Sequence, residues 1–142
     1  LIPEDYLPDI NGRLVLYKRI AAARDESALR ELQVEMIDRF GLLPEQVKNL
    51  FQVSRLRLRA QDLGIRTIEA GPGGGSIDFQ ETTKVNPLSL VKLVQSDPQS
   101  YRLAGATRLR FERDLETAAD REHYVEQLLA TFATEATEED AA

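Results

Sequence analysis

Residues 58–80 read LRAQDLGIRTIEAGPGGGSIDFQ, and the fold class turns on Gly64 within them. Upstream of it the spacing is helical: Val47, Leu50, Phe51, Ser54 and Leu58 recur three and four apart and share one side of a helix. Downstream the spacing becomes strand-like. Ile65–Ala70 and Ser76–Glu81 alternate, with Ile65 and Ile68 interrupted by Arg66 and Thr67, then Ile77 and Phe79. Between them Gly71-Pro72-Gly73-Gly74-Gly75 suits a loose hairpin turn.

Moving outward toward the start, Pro44 is well placed to open that helix and Gly64 to follow its end near Leu63. A second helix runs to Phe40, capped by Asp25 or Ser27 and stopped at Gly41; its core side is Leu29, Leu32, Met36, Ile37 and Phe40. Asn11 is the expected cap of a first helix reaching about Arg24, with Leu14, Tyr17, Ile20 and Ala21 on one face. Pro3 and Pro8 forbid a regular helix in residues 1–10, which read as an extended linker.

Toward the end, Asn86-Pro87 opens a helix that Asp97-Pro98 closes, and Tyr101–Ala104 and Thr107–Arg113 read as short strands around Gly105. Thr117 opens a last helix with Tyr124, Val125, Leu128, Leu129 and Phe132 on one side. Residues 135–142 are acidic and rich in small residues, and read as a disordered tail. The expected fold is α+β: an N-terminal three-helix unit, then a small antiparallel sheet with two further helices. Residues 11–134 form a single domain in this reading, with 11–64 and 65–134 as candidate subdomains.

Composition sets limits on function. With 142 residues, 42% of them apolar, the chain suits one domain with its own core. Because it starts at Leu1 rather than Met, it reads as a piece of a longer protein. It has no cysteine, which excludes disulfides, thiolate catalysis and Cys-type zinc sites and fits a reducing cytoplasm. The net charge of −6 is uneven: residues 1–70 carry eleven acids and eleven bases, residues 71–142 thirteen and seven. That balance opposes broad, non-specific binding to nucleic acid while leaving room for a local basic patch. No apolar run approaches the ~20 residues of a membrane span, and no membrane partner is expected.

Catalytic signatures are missing. The GPGGGS loop leads into a strand, with no lysine before Lys84, so it is a turn rather than a phosphate cradle. His123 stands alone between Glu122 and Tyr124 on a helix, the usual setting of a surface histidine. No carboxylate sits in the apolar context that would tune it as a general acid. No catalytic, cofactor-binding or metal-ligating residue is therefore assigned. Two charged faces remain. Glu31, Glu35 and Asp38 recur at i, i+4 and i+7 on the second helix, with Glu35 at the edge of the apolar stripe; alternatively they form a solvated face paired locally with Arg30 or Arg39. On the third helix, Lys48, Arg55 and Arg59 share a side with Gln52, a candidate face for nucleic acid or an acidic partner.

Several runs carry a resemblance. They are Leu1-Ile2-Pro3-Glu4-Asp5-Tyr6-Leu7-Pro8-Asp9, Tyr17-Lys18-Arg19-Ile20-Ala21, Glu35-Met36-Ile37-Asp38-Arg39-Phe40-Gly41-Leu42-Leu43-Pro44 and Leu63-Gly64-Ile65-Arg66. Val85-Asn86-Pro87, Tyr101-Arg102-Leu103 and Thr107-Arg108-Leu109 follow in order. Together they resemble the C-terminal regulatory (TRCF) domain of the bacterial transcription-repair coupling factors, the Mfd family. The resemblance implies a parent DNA translocase whose upstream motor uses ATP and Mg, acts on stalled RNA polymerase and recruits UvrA to damaged DNA. It implies for this domain a non-catalytic role without a cofactor: packing on the UvrB-like module of the same chain and masking the surface UvrA needs. Glu35 and Asp38, in the matching Glu-Met-Ile-Asp run, are then expected to pair with basic residues of that module, with Glu31 and Arg39 as neighbours. The alternative is a DNA-contacting accessory domain using Lys48, Arg55 and Arg59.

Overall fold

The computed structural model describes residues 2–141, with side chains to Glu135. The chain folds as two compact units, Leu1–Leu58 and Arg59–Ala142. The division lies inside the third helix, not at the Gly64 junction where the sequence changes character.

The first unit holds α1 (Ile10–Ala22), α2 (Glu26–Phe40) and most of α3 (Glu45–Asp62). Asp25 caps α2 as expected, its carboxylate accepting the Ala28 N–H at 2.7 Å. The cap of α1 is Asp9, not Asn11: Asp9 is extended and accepts the Asn11 N–H at 3.1 Å. The helix therefore begins two residues earlier than expected. Leu16 and Ile20 point inward, Tyr17 is half-buried and Leu14 is exposed, so the expected face of Leu14, Tyr17, Ile20 and Ala21 is only partly the core face. The core joins these to Leu29, Leu32 and Met36 of α2 and Val47, Phe51 and Leu58 of α3.

Residues 1–10, expected as a linker, supply part of that core. Ile2 and Leu7 are buried in it. The Ile2 N–H donates to the Tyr17 hydroxyl at 2.5 Å, and the Tyr6 hydroxyl reaches the Met36 and Gly41 carbonyls at 3.3 and 3.2 Å. Arg13 ties down the Leu7 carbonyl at 2.9 Å. The segment is not extended throughout: residues 4–6 form a turn in which the Tyr6 and Leu7 N–H groups donate to the Pro3 carbonyl, both at 3.2 Å, and Ile2, Tyr6 and Leu7 give it enough apolar surface to stay packed.

The second unit contains β1 (Ile65–Gly71), β2 (Gly74–Phe79), α4 (Pro87–Ser96), β3 (Tyr101–Leu103), β4 (Arg108–Glu112) and α5 (Ala118–Ala141). The four strands form one antiparallel sheet in the order β1-β2-β4-β3. The hairpin turn is tighter than expected, because Gly71 and Gly74 pair directly around Pro72-Gly73. A bulge between Ile65 and Thr67 explains the odd spacing of the isoleucines: three apart, they would face opposite ways in a regular strand. With the extra residue, Ile65 lies opposite Phe79 and Ile68 opposite Ile77, on one face.

That face also carries Tyr101, Leu109 and Phe111 and packs on α5 through Tyr124, Val125, Leu128, Leu129 and Phe132. Phe79 meets Phe132 edge-on with centroids 6.0 Å apart, and Phe111 lies 5.2 Å from Tyr124. The Tyr101 and Tyr124 hydroxyls bond each other at 2.6 Å in the interior, satisfying two polar groups that burial would otherwise strand. Helix α5 continues through the stretch expected to be a tail, as far as Ala141; side chains past Glu135, and Ala142, lie outside the described residues.

Gly64 is required where the helical half meets the sheet. Its φ is +75°, and a Cβ there would come within 2.7 Å of the Thr83 Cα. Gly64→Ala should destabilise the protein by at least about 1–2 kcal/mol from the left-handed backbone alone, read as a lower urea midpoint at unchanged slope. Leu7→Ala should cost about 2–5 kcal/mol, as core truncations do; a loss below a few tenths would show that the first residues do not contribute to the core.

Candidate functional site

Helix α2 buries one narrow stripe, Leu29, Leu32 and Met36. Residues advance about 100° each around a helix, so Glu31, Val34 and Asp38 cluster on the far side and Ile37 lies next to Val34. Val34 is 58% exposed and Ile37 40%. Ile37 was expected in the core and is instead on the outer face, because the stripe is too narrow to include it. Val34 was missed. The signal was present: a β-branched residue well off the buried stripe, flanked by acids three before and four after it.

Glu31 and Asp38 are exposed, and among the described residues neither forms an ion pair. Glu35 sits at the edge of the stripe, as expected, but its partner is neither Arg30 nor Arg39. It faces α1, where the Arg19 guanidinium donates to its carboxylate. Both side chains stay open to solvent, at 44% for Arg19 and 40% for Glu35. The bond from Arg19 holds the Glu35 carboxyl below its ordinary range; desolvation opposes this, and the charges of Arg19 and Arg39 assist it. Arg39 lies over the Phe40 ring, 5.1 Å from its centroid. Between the end of α1 and α2 runs a shallow groove of about 400 Å³, lined by Arg19, Ala22, Ala23, Glu31, Leu32 and Glu35.

The structure thus brings Glu31, Val34, Ile37 and Asp38 onto one outer face, with the Arg19–Glu35 pair at its edge. An acidic rim around exposed aliphatic groups can dock a surface that offers cations and an apolar side chain together.

The second sequence-predicted set behaves differently. Lys48 lies 3.6 Å from Glu45, Arg55 3.8 Å from Glu26 with a further bond to Gln52, and Arg59 3.5 Å from Glu126. Each cation already faces a carboxylate of its own unit, which weakens its pull on an external anion. His123 is exposed and bonds Gln127 at 3.1 Å, one turn along α5. Among the described residues no cluster of His, Cys, Asp and Glu could hold a metal ion. No helix among them is long and apolar enough to cross a membrane.

Residues 1–90 match the family model of the TRCF domain. The chain belongs to the TRCF domain family. Glu31, Glu35, Asp38 and Arg39 all lie within the matched TRCF region. Over 129 residues, 91% of the chain, it is 50% identical to a transcription-repair-coupling factor of Escherichia coli, and over 94% of the chain 47% identical to that of Haemophilus influenzae. The chain spans only 11% and 12% of those two relatives. It also superposes on a crystal structure of the C-terminal domain of a transcription-repair coupling factor with a TM-score of 0.70, covering 93% of this chain and 88% of that one at 21% identity. At that identity the match establishes the shared TRCF fold, α+β with an antiparallel sheet.

The Glu35 pair gives a pH signature with a definite sign. A carboxyl whose folded pKa is depressed stabilises the fold above its unfolded pKa and loses that contribution as pH falls through the folded value. Glu35→Gln should therefore leave a flatter loss of stability from about pH 4.5, the ordinary value, downward. Thermal melts of both proteins between neutral and acid pH check it; parallel curves would show that the bridge carries no net stabilisation.

Proposed function

We propose that this domain is a non-catalytic regulatory module of a transcription-repair coupling factor. In this reading it docks through the outer face of α2 on the UvrB-like module of its own polypeptide and masks the surface that UvrA needs. The observation that carries the reading is the exposed Val34–Ile37 pair rimmed by Glu31 and Asp38, acids with no ion partner among the described residues, inside the TRCF-matched region. Exposed aliphatics alone would suit any sticky surface. The acids narrow the choice to a partner that is basic at its rim, and charge at a rim sets specificity and rate of encounter more than raw affinity.

Glu35 enters docking on different terms from its neighbours. An incoming cation must share it with Arg19 or displace Arg19, so Glu35 contributes less than Asp38 and Glu31. A modest, charge-rimmed contact also suits a clamp that has to open, because each exposed charge pair contributes at most about 1 kcal/mol. Release on engagement of the parent motor would then free the masked surface for UvrA.

The test pairs two measurements. Titration calorimetry of this domain with the isolated UvrB-like module should show affinity falling about tenfold or more, roughly 1.4 kcal/mol, for Glu31→Lys combined with Asp38→Lys. Both positions are exposed, so the melting midpoint should hold. In the full-length protein the same pair should raise UvrA binding in the absence of nucleotide. Unchanged association with the UvrB-like module would remove α2 as the docking surface.

A further inference from the structure

The open face of the sheet in the second unit carries an unmatched set of cations. Leu109, Phe111 and Tyr101 point to the buried side, so Arg108, Arg110 and Arg102 point to the other, and all three are exposed. Arg102 and Arg110 are direct register partners on β3 and β4. Like charges placed opposite each other across strands repel and cost stability. Among the described residues none of the three side chains forms an ion pair or hydrogen bond. These are three of the seven cations in residues 71–142, a half that also holds thirteen acids. Carboxylates to neutralise them were plentiful.

The nearest acid by register is Asp78, opposite Arg108. It is already engaged: the Thr107 hydroxyl donates to it at 2.9 Å and Arg66 lies 4.0 Å away. Arg102 and Arg110 instead line a groove of about 440 Å³ with Ser76, Ser100, Glu69 and Glu112. Gly71 and Gly74, paired beside Glu112, leave its floor without side chains.

We infer that this face is a second docking surface, and that its occupant is an extended acidic segment of a protein. Two guanidinium forks side by side can clamp one carboxylate, the geometry arginine favours. Arg108 stands two residues from Arg110, about 6.8 Å along a strand that rises about 3.4 Å per residue. Alternate side chains of an extended peptide have the same spacing, so a Glu-x-Glu run meets both positions in turn. A nucleic acid fits less well. Its unbroken row of phosphates would also run against Glu69 and Glu112, and Tyr101 and Phe111, whose rings could stack bases, are buried although both residues border the groove. A peptide can set uncharged residues beside those two acids. This surface belongs to the second unit, and the α2 face to the first.

Fluorescence polarisation of the intact chain with a labelled peptide of alternating Glu and Ser tests the inference. Binding should weaken by about tenfold or more, as expected for losing charge-assisted bonds, when Gln replaces Glu in the peptide or when Arg102→Gln and Arg110→Gln are combined. The melting midpoint of that variant should be unchanged or higher, since a repulsive pair is removed. Equal affinity for the two peptides would overturn the proposal, and so would a lowered midpoint, which would make the arginines part of the fold. Tighter binding of a single-stranded oligonucleotide, lost in the same variant, would overturn the assigned occupant in favour of nucleic acid.

Discussion

A helix on the surface of a small unit can bury only one stripe, and in α2 that stripe is three side chains wide along its length: Leu29, Leu32 and Met36. Everything proposed for the first unit follows from this limit. The stripe fixes the rotation of α2 about its axis, and the rotation decides that Glu35 looks toward α1 while Val34, Ile37 and Asp38 look away. A wider stripe including Ile37 would have taken one of the two exposed aliphatic groups out of the outer face and left Val34 alone between Glu31 and Asp38. The domain's own stability and its outward chemistry are therefore set by the same few contacts, with Arg19 holding the boundary between them.

The second unit solves a different problem. Its sheet has one face to bury and a single long helix to cover it, so α5 carries most of the packing, with Phe132 and Tyr124 against Phe79 and Phe111. Burial of Tyr124 raises its phenol pKa well above the ordinary value, assisted by the Tyr101 hydroxyl and opposed by Arg113, which stacks 4.8 Å from its ring. The phenol therefore stays protonated, and the hydroxyl pair stays a hydrogen bond between neutral groups. Helix α4 covers little by comparison. Of its residues only Ser89 is buried, and Leu88 and Val91 are exposed.

Much of this was legible in the sequence, for reasons that are local. Period 3.6 before Gly64 and alternation after it gave the α+β order, and Asp25, Asn86 and Gly64 marked ends because capping and left-handed turns depend on single residues. The core face of α5 was fully readable, since Tyr124, Val125, Leu128, Leu129 and Phe132 leave no second choice of stripe. What was not legible depends on distant partners. Whether Ile2 and Leu7 pack depends on Tyr17 and on the Met36 carbonyl, which no window around residue 5 contains. The Arg19–Glu35 bond joins two helices, and periodicity within either one cannot show it. Arg102 and Arg110 become neighbours only through strand register, so eight residues of separation concealed them. Ile37 failed for the opposite reason: hydrophobicity put it inside, and only the width of the stripe put it out.

The threading of residues 2–9 through the first unit has a mechanical side. Ile2 is bound to Tyr17, and Tyr6 grips the carbonyls at both ends of the last turn of α2, Met36 and Gly41. In any longer polypeptide continuing upstream, the incoming chain would be tied by these bonds to the helix that bears the acidic face. Tension applied there would load the Ile2–Tyr17 bond on α1 first and, past it, Tyr6 and the carboxyl end of α2, so traction on the backbone would reach the docking surface through a few hydrogen bonds and not through a floppy tether.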